Sequence, residues 1–309
     1  MKTIKTVLIA GAGTMGQQTG LLCALHGFDV IMYDLSMALL EAGLVRMKKF
    51  APRMKRIYGF TDDDIRAGLD RIRITDSPET AAFGADLILE SIPEDPVLKG
   101  NFFATFNTLC DPDTIFATNT SSLVPSMFAQ ASGRPDRLCA LHFHDVSVTK
   151  IVDVMPHPGT SPEILKRVRE FALELGQIPI VLEKEHNGYV FNNMLMAFTA
   201  SALNLAAAGV APVEEIDRAW MGIMRTETGP FGLMDAIGLE TVWKITDYWA
   251  GKRNDPKAKA NADFLKPFVD EGRLGLKTGK GFYTYPDPAY ARPDFLTAGK
   301  PSTETSHDR

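Results

Sequence analysis

Three glycines at fixed spacing are the first residues able to do chemistry in this chain: Gly11-Ala12-Gly13-Thr14-Met15-Gly16, directly after the apolar Val7-Leu8-Ile9-Ala10. An apolar run entering a G-x-G-x-x-G turn reads as a buried parallel strand feeding a helix. Gly11 permits the tight turn, Gly13 lets a pyrophosphate approach the backbone, and Gly16 lets helix and strand pack closely. Thr14 and Met15 open the helix, whose unpaired N–H groups and partial positive charge suit phosphates. The helical pattern runs from Met15 to His26, stops at Gly27, and gives way to a strand from Asp29 to Tyr33. Asp34 then stands about twenty residues past the glycines, where the ribose hydroxyls of a dinucleotide need an acceptor. Its charge repels the 2′-phosphate of NADP, and Leu35-Ser36-Met37 bring no Arg to offset that. The pattern predicts an NAD site.

A proton acceptor must come from elsewhere in the chain. Leu138 to Phe143 reads as a strand, with His142 at its end. An imidazole of ordinary pKa, about 6.5, accepts a proton at neutral pH, although a strand-edge His is more often a hydrogen-bonded core or loop residue. If the strand continues, His144 faces the same side as His142 and either lines the site or replaces it. Ser121 follows a strand from Thr114 to Thr118, where ligand crevices form in α/β sheets. Its hydroxyl both donates and accepts, whereas Ser122 suits helix capping. Arg46, Lys48, Lys49, Arg53, Lys55 and Arg56 come with no acid between them. They form either a local field for phosphates or a solvated helix face.

The elements that must position these groups alternate between strand and helix up to about Glu183, the pattern of an α/β fold. A mostly helical insert from Met37 to about Leu69 is expected to break at Pro52 and restart at Thr61, a candidate N-cap. Further strands are expected at Asp86 to Glu90, Lys150 to Met155 and Ile178 to Leu182, and further helices at Val97 to Leu109 and from Ser161 to Leu175. From Gly188 the pattern is helical: Tyr189 to Ala208, Val213 to Met224, Phe231 to Ala250 and Pro256 to Gly272. The expected organisation is a Rossmann-type, doubly wound and mostly parallel sheet domain over residues 1–184, an all-α domain over 185–285, and a polar, irregular tail over 286–309.

Bulk properties narrow the function classes. The 309 residues suit two domains, and 45% hydrophobic with 23% charged residues is ordinary for a globular chain. A net charge of −5 argues against nucleic acid as a partner. Cys23, Cys110 and Cys139 lack metal-site spacing and suit reduced thiols in a cytoplasm. No run of about 18 apolar residues suggests a membrane span, and a strand close to Met1 leaves no room for a leader peptide.

Seven segments in order give the chain a resemblance. Besides Gly11–Gly16 they are Glu90-Ser91-Ile92-Pro93-Glu94, Asn119-Thr120-Ser121-Ser122, Leu141-His142-Phe143, Gly188-Tyr189-Val190-Phe191-Asn192, Gly229-Pro230-Phe231 and Lys277-Thr278-Gly279-Lys280-Gly281-Phe282-Tyr283. Over nearly the whole chain this resembles the short-chain L-3-hydroxyacyl-CoA dehydrogenases, a superfamily that includes a diketoreductase, an L-gulonate dehydrogenase related to a lens crystallin, and carnitine dehydrogenase. The resemblance implies NAD-linked interconversion of a short-chain L-3-hydroxyacyl-CoA and its 3-oxo partner, with His142 as acid/base and Asp153 orienting it. It further implies that Ser121, and Asn192 across a domain cleft, hold the reacting oxygen. Asn119, Glu94 and Lys99 fall near the nicotinamide or substrate, and Lys49 and Arg56 lie in the insert that meets the CoA nucleotide. A homodimer through the helical domain is implied, and no metal, because a nicotinamide and one base suffice.

Departures from the family text cluster in one place. The usual Phe-Phe-Asn-Pro after the His is here Phe143-His144-Asp145-Val146, and the segment to Asp153 is one residue shorter. Asp153 stands where the family has Glu, so its reach is shorter by roughly 1.3–1.5 Å. A one-residue change within a strand would reverse side-chain facing. These changes border the reacting carbon, so they bear on the CoA-thioester substrate more than on the redox chemistry. A non-CoA hydroxy acid or diketone is the second reading, and a redox-inactive NAD-binding protein the third.

Overall fold

A computed structural model describes residues 3–297. It divides into two compact units, Met1–Phe191 and Asn192–Arg309.

The first unit is built on an eight-stranded sheet. Its elements are β1 (Thr6–Ala10), α1 (Thr14–Leu25), β2 (Asp29–Tyr33), α2 (Met37–Tyr58), α3 (Asp62–Asp70), β3 (Ile72–Thr75), α4 (Pro78–Ala82) and β4 (Leu87–Glu90). Then follow α5 (Pro96–Leu109), β5 (Ile115–Thr118), α6 (Ser126–Ala129), β6 (Leu138–Phe143), β7 (Ile151–Met155), α7 (Pro162–Glu174) and β8 (Ile178–Val181). The strand order is β3-β2-β1-β4-β5-β6-β7-β8, parallel throughout except for β6 against β7. The central strands β4, β5 and β6 are buried at every residue, as strands covered on both faces must be. The winding reverses between β1 and β4, and ligands of open α/β sheets bind beyond the carboxyl ends of strands at such a reversal.

Several local expectations are altered by packing. Pro52 does not break the insert; it lies inside α2 on the exposed side, while Ala51 and Met54 face the core. The carbonyl that loses its partner there can be hydrated, which makes a helix-interior proline tolerable. Thr61 does cap α3, in a reciprocal box with Asp64. β3 and α4 carry too weak a pattern to be read from the sequence, since β3 is a half-buried edge strand of four residues.

The second unit contains α8 (Phe191–Ala207, reaching back one residue), α9 (Val213–Met224), α10 (Pro230–Ile237), α11 (Leu239–Arg253) and α12 (Pro256–Asp270). The single helix expected from Phe231 to Ala250 is two, because Gly238 takes φ +100° between α10 and α11. Its core holds two fully buried carboxylates. Asp217 accepts from the N–H groups of Phe231 (2.9 Å) and Gly232 (3.0 Å) and from the Tyr283 hydroxyl (2.9 Å). Asp235 accepts from the N–H groups of Phe282 and Tyr283 and from the Tyr285 hydroxyl. The segments Gly229–Phe231 and Lys277–Tyr283 are thereby explained as architecture: a Cβ on Gly281 would sit 2.0 Å from Asp235 Oδ1. Residues 286–297, expected to be irregular, pack on this core: Tyr290 lies edge-on against Tyr283, and Phe295 lies buried beneath Arg218. The remainder of the expected tail lies outside the described residues.

Candidate active site

The glycine turn has the shape a dinucleotide requires. Gly11 sits at φ +99°, and a Cβ on it would meet the Ser91 carbonyl at 2.6 Å. On Gly16 a Cβ would strike the Gly11 carbonyl at 1.9 Å, whereas on Gly13 it would meet nothing within 4 Å. The outer two glycines are thus demanded by packing, and the middle one keeps a space open beside the chain. α1 begins without a side-chain cap, so its first N–H groups, at Thr14 and Met15, remain for phosphate oxygens. Asp34 closes the far side: one oxygen accepts from the Ala12 N–H (2.7 Å), the other from Leu35 N–H (2.8 Å). Ser91 Oγ, in the residue packed against Gly11, is buried without a hydrogen bond among the described residues. An open middle glycine, an uncapped helix start, a carboxylate at the end of β2 and an unpaired hydroxyl all fit NAD.

The ends of β4 and β5 form the next layer. Lys99 is no solvated surface charge; it is buried, with Nζ 2.5 Å from Glu90 and 3.2 Å from the Ile92 carbonyl. Burial pushes the Glu90 carboxyl up, and Lys99, Thr118 and the Ile92 N–H offset part of that. Glu94 gathers the following loop, accepting from Thr120 Oγ1, the Ser121 and Ser122 N–H groups (both 3.1 Å) and the Ser122 hydroxyl (2.9 Å). Burial alone would raise its carboxyl, but Thr120, Lys99 and Ser122 hold it below the usual carboxylate range. Ser121 is left exposed, and its hydroxyl makes no hydrogen bond among the described residues. Asn119 turns its Oδ1 to the Phe143 N–H (2.8 Å), so it fixes the end of β6.

On β6 and β7 the altered segment resolves simply. His142 is the direct cross-strand partner of Asp153, so the shorter connection keeps both side chains on one face. Nδ1 of His142 lies 2.9 Å from Asp153 Oδ2, and Nε2 of His144 lies 3.1 Å from the same oxygen. Burial would raise the Asp153 carboxyl, but the two imidazoles outweigh it and hold it below its usual range. An ionised carboxylate only accepts, so both facing ring nitrogens must carry the proton. Nε2 of His142 then bears the lone pair, and it has no partner among the described residues. The antiparallel pairing puts Asp153 directly opposite His142, within reach of its short side chain.

Two residues without a sequence prediction complete this arrangement. The Tyr189 ring stacks on His142 with centroids 4.6 Å apart and planes at 20°, while its hydroxyl donates to the Thr120 carbonyl (2.6 Å). Burial, reinforced by the charges of Asp153 and Glu94, pushes its phenol well above the usual value, so it stays a donor. Gln18 on α1 accepts from the Val146 N–H (3.1 Å) and so ties down the loop after His144. Only an aromatic in a motif and a glutamine inside an apolar helix pointed to them.

The basic insert is a free face of α2. Lys48, Lys49, Arg53 and Arg56 are exposed and make no ion pair among the described residues, whereas Lys55 pairs with Asp62 at 2.8 Å. Asn192 stands half-buried in the first turn of α8, as the first residue of the second unit. No helix among the described residues is long and apolar enough to cross a membrane.

Comparison with known proteins accords with this geometry. Residues 6–186 match the family model of the 3-hydroxyacyl-CoA dehydrogenase NAD binding domain, and residues 188–285 that of the C-terminal domain. The chain is 35% identical over 283 residues to a probable 3-hydroxybutyryl-CoA dehydrogenase of Bacillus subtilis, covering 91% of this chain and 98% of that one. Among solved structures, a diketoreductase described in terms of dual catalysis of dicarbonyl compounds superposes with a TM-score of 0.87 at 36% identity, over 92% of this chain and 100% of that one. The (S)-3-hydroxybutyryl-CoA dehydrogenase of Ralstonia eutropha follows with a TM-score of 0.81 at 30% identity and the same coverage. This chain belongs to the 3-hydroxyacyl-CoA dehydrogenase family of NAD-dependent oxidoreductases.

Proposed function

We propose that the protein oxidises a short-chain L-3-hydroxyacyl-CoA to its 3-oxo form, and runs the reverse reaction, with His142 as acid/base. The observation that carries this is the fixed tautomer: Asp153 holds Nδ1–H of His142 and leaves the Nε2 lone pair to accept the hydroxyl proton. In the reverse direction the imidazolium donates that proton, stabilised by the buried carboxylate. Ser121, whose hydroxyl is unengaged, holds the reacting oxygen, and Asn192 supplies an amide for it on the strength of the family motif. NAD, held by Gly11, Gly13, Gly16, the first N–H groups of α1 and Asp34, supplies the hydride acceptor. Glu94, Lys99 and Asn119 act at one remove by fixing the loops that carry Ser121 and His142. The exposed cations of α2, Lys49 and Arg56 among them, offer the phosphates of CoA a positive field. Exposed Met194, Val210, Ile223 and Met224 in the second unit support a homodimer through that unit.

One observation favours a second substrate class. The diketoreductase structure is an extensive match, and this chain departs from the family text at His144-Asp145-Val146. NADH formation from 3-hydroxybutyryl-CoA, measured beside gulonate, carnitine and dihydroxy esters, separates the two readings. The thioester should be used best; rates on it no better than on the free acids would assign the chain to non-CoA substrates.

A further inference from the structure

His144 converts an ordinary base–carboxylate pair into something chemically different. Among the described residues, His142, His144 and Asp153 form the only cluster of three such side chains whose ligand atoms all lie within 4.8 Å of one another. Two ring nitrogens already converge on one carboxylate oxygen at 2.9 and 3.1 Å. Ligand atoms on one tetrahedral ion with bonds of about 2.0–2.1 Å stand roughly 3.3 Å apart. Each imidazole–carboxylate pair therefore needs to open by only a few tenths of an ångström to reach that spacing. We propose that His142, His144 and Asp153 form a binding site for a divalent transition metal such as Zn2+, and that an ion there switches the base off.

The donor set selects the class of ion. Two imidazoles and one carboxylate suit Zn2+ and its neighbours, whereas Mg2+ and Ca2+ prefer oxygen ligands. Competing soft ligands are withheld, because Cys23, Cys110 and Cys139 are all buried. Entry is from the side of His144, whose side chain keeps 18% of its surface exposed against 2% for Asp153.

Inhibition follows from proton positions. Without the ion, Nδ1 of His142 and Nε2 of His144 each carry a proton directed at Asp153. Zn2+ needs the lone pairs of those same nitrogens, so each ring proton moves through solvent to the opposite nitrogen. The number of protons on each ring is unchanged, but Nε2 of His142 becomes a donor and can no longer accept from an alcohol. A Phe at position 144 would supply no ligand, so the site depends on His144.

The test is a competition titration of the full-length protein with Zn2+ against a chromophoric chelator, without NAD or substrate, so it stands apart from the question of which alcohol is oxidised. One Zn2+ per chain is expected, with affinity reduced at least about 100-fold in His144→Phe and in Asp153→Asn, more than loss of an outer-sphere partner usually causes. Zn2+ should also raise the Tm of the wild type, as a ligand of the folded state does, but not that of His144→Phe, while Mg2+ does neither. If His144→Phe does not fold, His144→Gln takes its place. Equal Zn2+ affinity in wild type and the His144 variants, or no wild-type binding below millimolar concentration, overturns the proposal.

Discussion

Two aspartates in this chain are equally buried and chemically opposite. Asp153, on β7, meets two imidazoles, and they hold its carboxyl below the usual range despite burial. Asp217, on α9, meets two backbone N–H groups and a tyrosine hydroxyl. There burial dominates, the neutral donors offset only part of it, the nearby Asp235 adds to it, and the carboxyl is pushed up to about 6. Burial penalises either charge; what differs is whether a partner able to carry positive charge stands within hydrogen-bonding distance. With such a partner a carboxylate stays ionised and orients a base. With neutral donors it becomes a structural knot, and that is how the second unit uses it.

The comparison breaks first at Asp153. Asp153→Asn keeps the shape and removes the charge that fixes the His142 tautomer. Turnover should fall by ~10²–10⁴-fold, the usual worth of a positioned acid/base, with NAD affinity by fluorescence titration unchanged. Turnover within threefold of wild type would mean that the carboxylate orients nothing.

The two sites should also pull pH dependence in opposite directions. Asp217, raised in the folded state, contributes stability that is present at low pH and lost as pH rises through about 6. From the ordinary value of 3.8 to about 6 that amounts to about 3 kcal/mol. Asp153, lowered in the folded state, contributes stability above its unfolded value that is lost as pH falls through the folded one. Thermal unfolding from about pH 2 to 7 should therefore show the Asp217 slope, between 3.8 and about 6, removed in Asp217→Asn, and the opposing slope, below 3.8, removed in Asp153→Asn. Identical pH profiles in the two variants would contradict the contrast.

At fixed pH, Asp217→Asn should cost about 1–3 kcal/mol, because an amide cannot accept all three donors and leaves one unpaired in a sealed site. Activity per folded molecule should not change; a loss of kcat without a loss of Tm would place Asp217 in the chemistry. Glycines repeat the same division more mildly. Gly13→Ala has room in the unliganded fold, so Tm should hold while NAD binding weakens. Gly281→Ala drives a methyl into Asp235 and should lower Tm, by about 1–3 kcal/mol of overpacking, with NAD binding intact. Exchanged outcomes would reverse the assignment of site and scaffold.

Legibility in the sequence divided along similar lines. The glycine turn, Asp34 and most central strands could be read because each follows from a local rule: a tight turn, a ribose acceptor, an apolar run of fixed length. β6 and α9 end where their patterns end. What depends on partners far along the chain could not be read. The His142–Asp153 register needed the antiparallel pairing to be known, and the Tyr189 stack on His142 joins residues 47 positions apart. The burial of Lys99 could not be read either, because nothing local announces that Glu90 waits beneath it. Pro52 misled for the converse reason, since a local rule yields when the freed carbonyl faces water.

The central claim is that His142, held by Asp153, moves the proton. Single-turnover NADH formation from 3-hydroxybutyryl-CoA at saturating NAD, compared between His142→Ala and His144→Ala, tests it most directly. The account predicts a loss of ~10²–10⁴-fold for His142→Ala and a clearly smaller one for His144→Ala. A larger loss for His144→Ala, or equal losses in both, would contradict it.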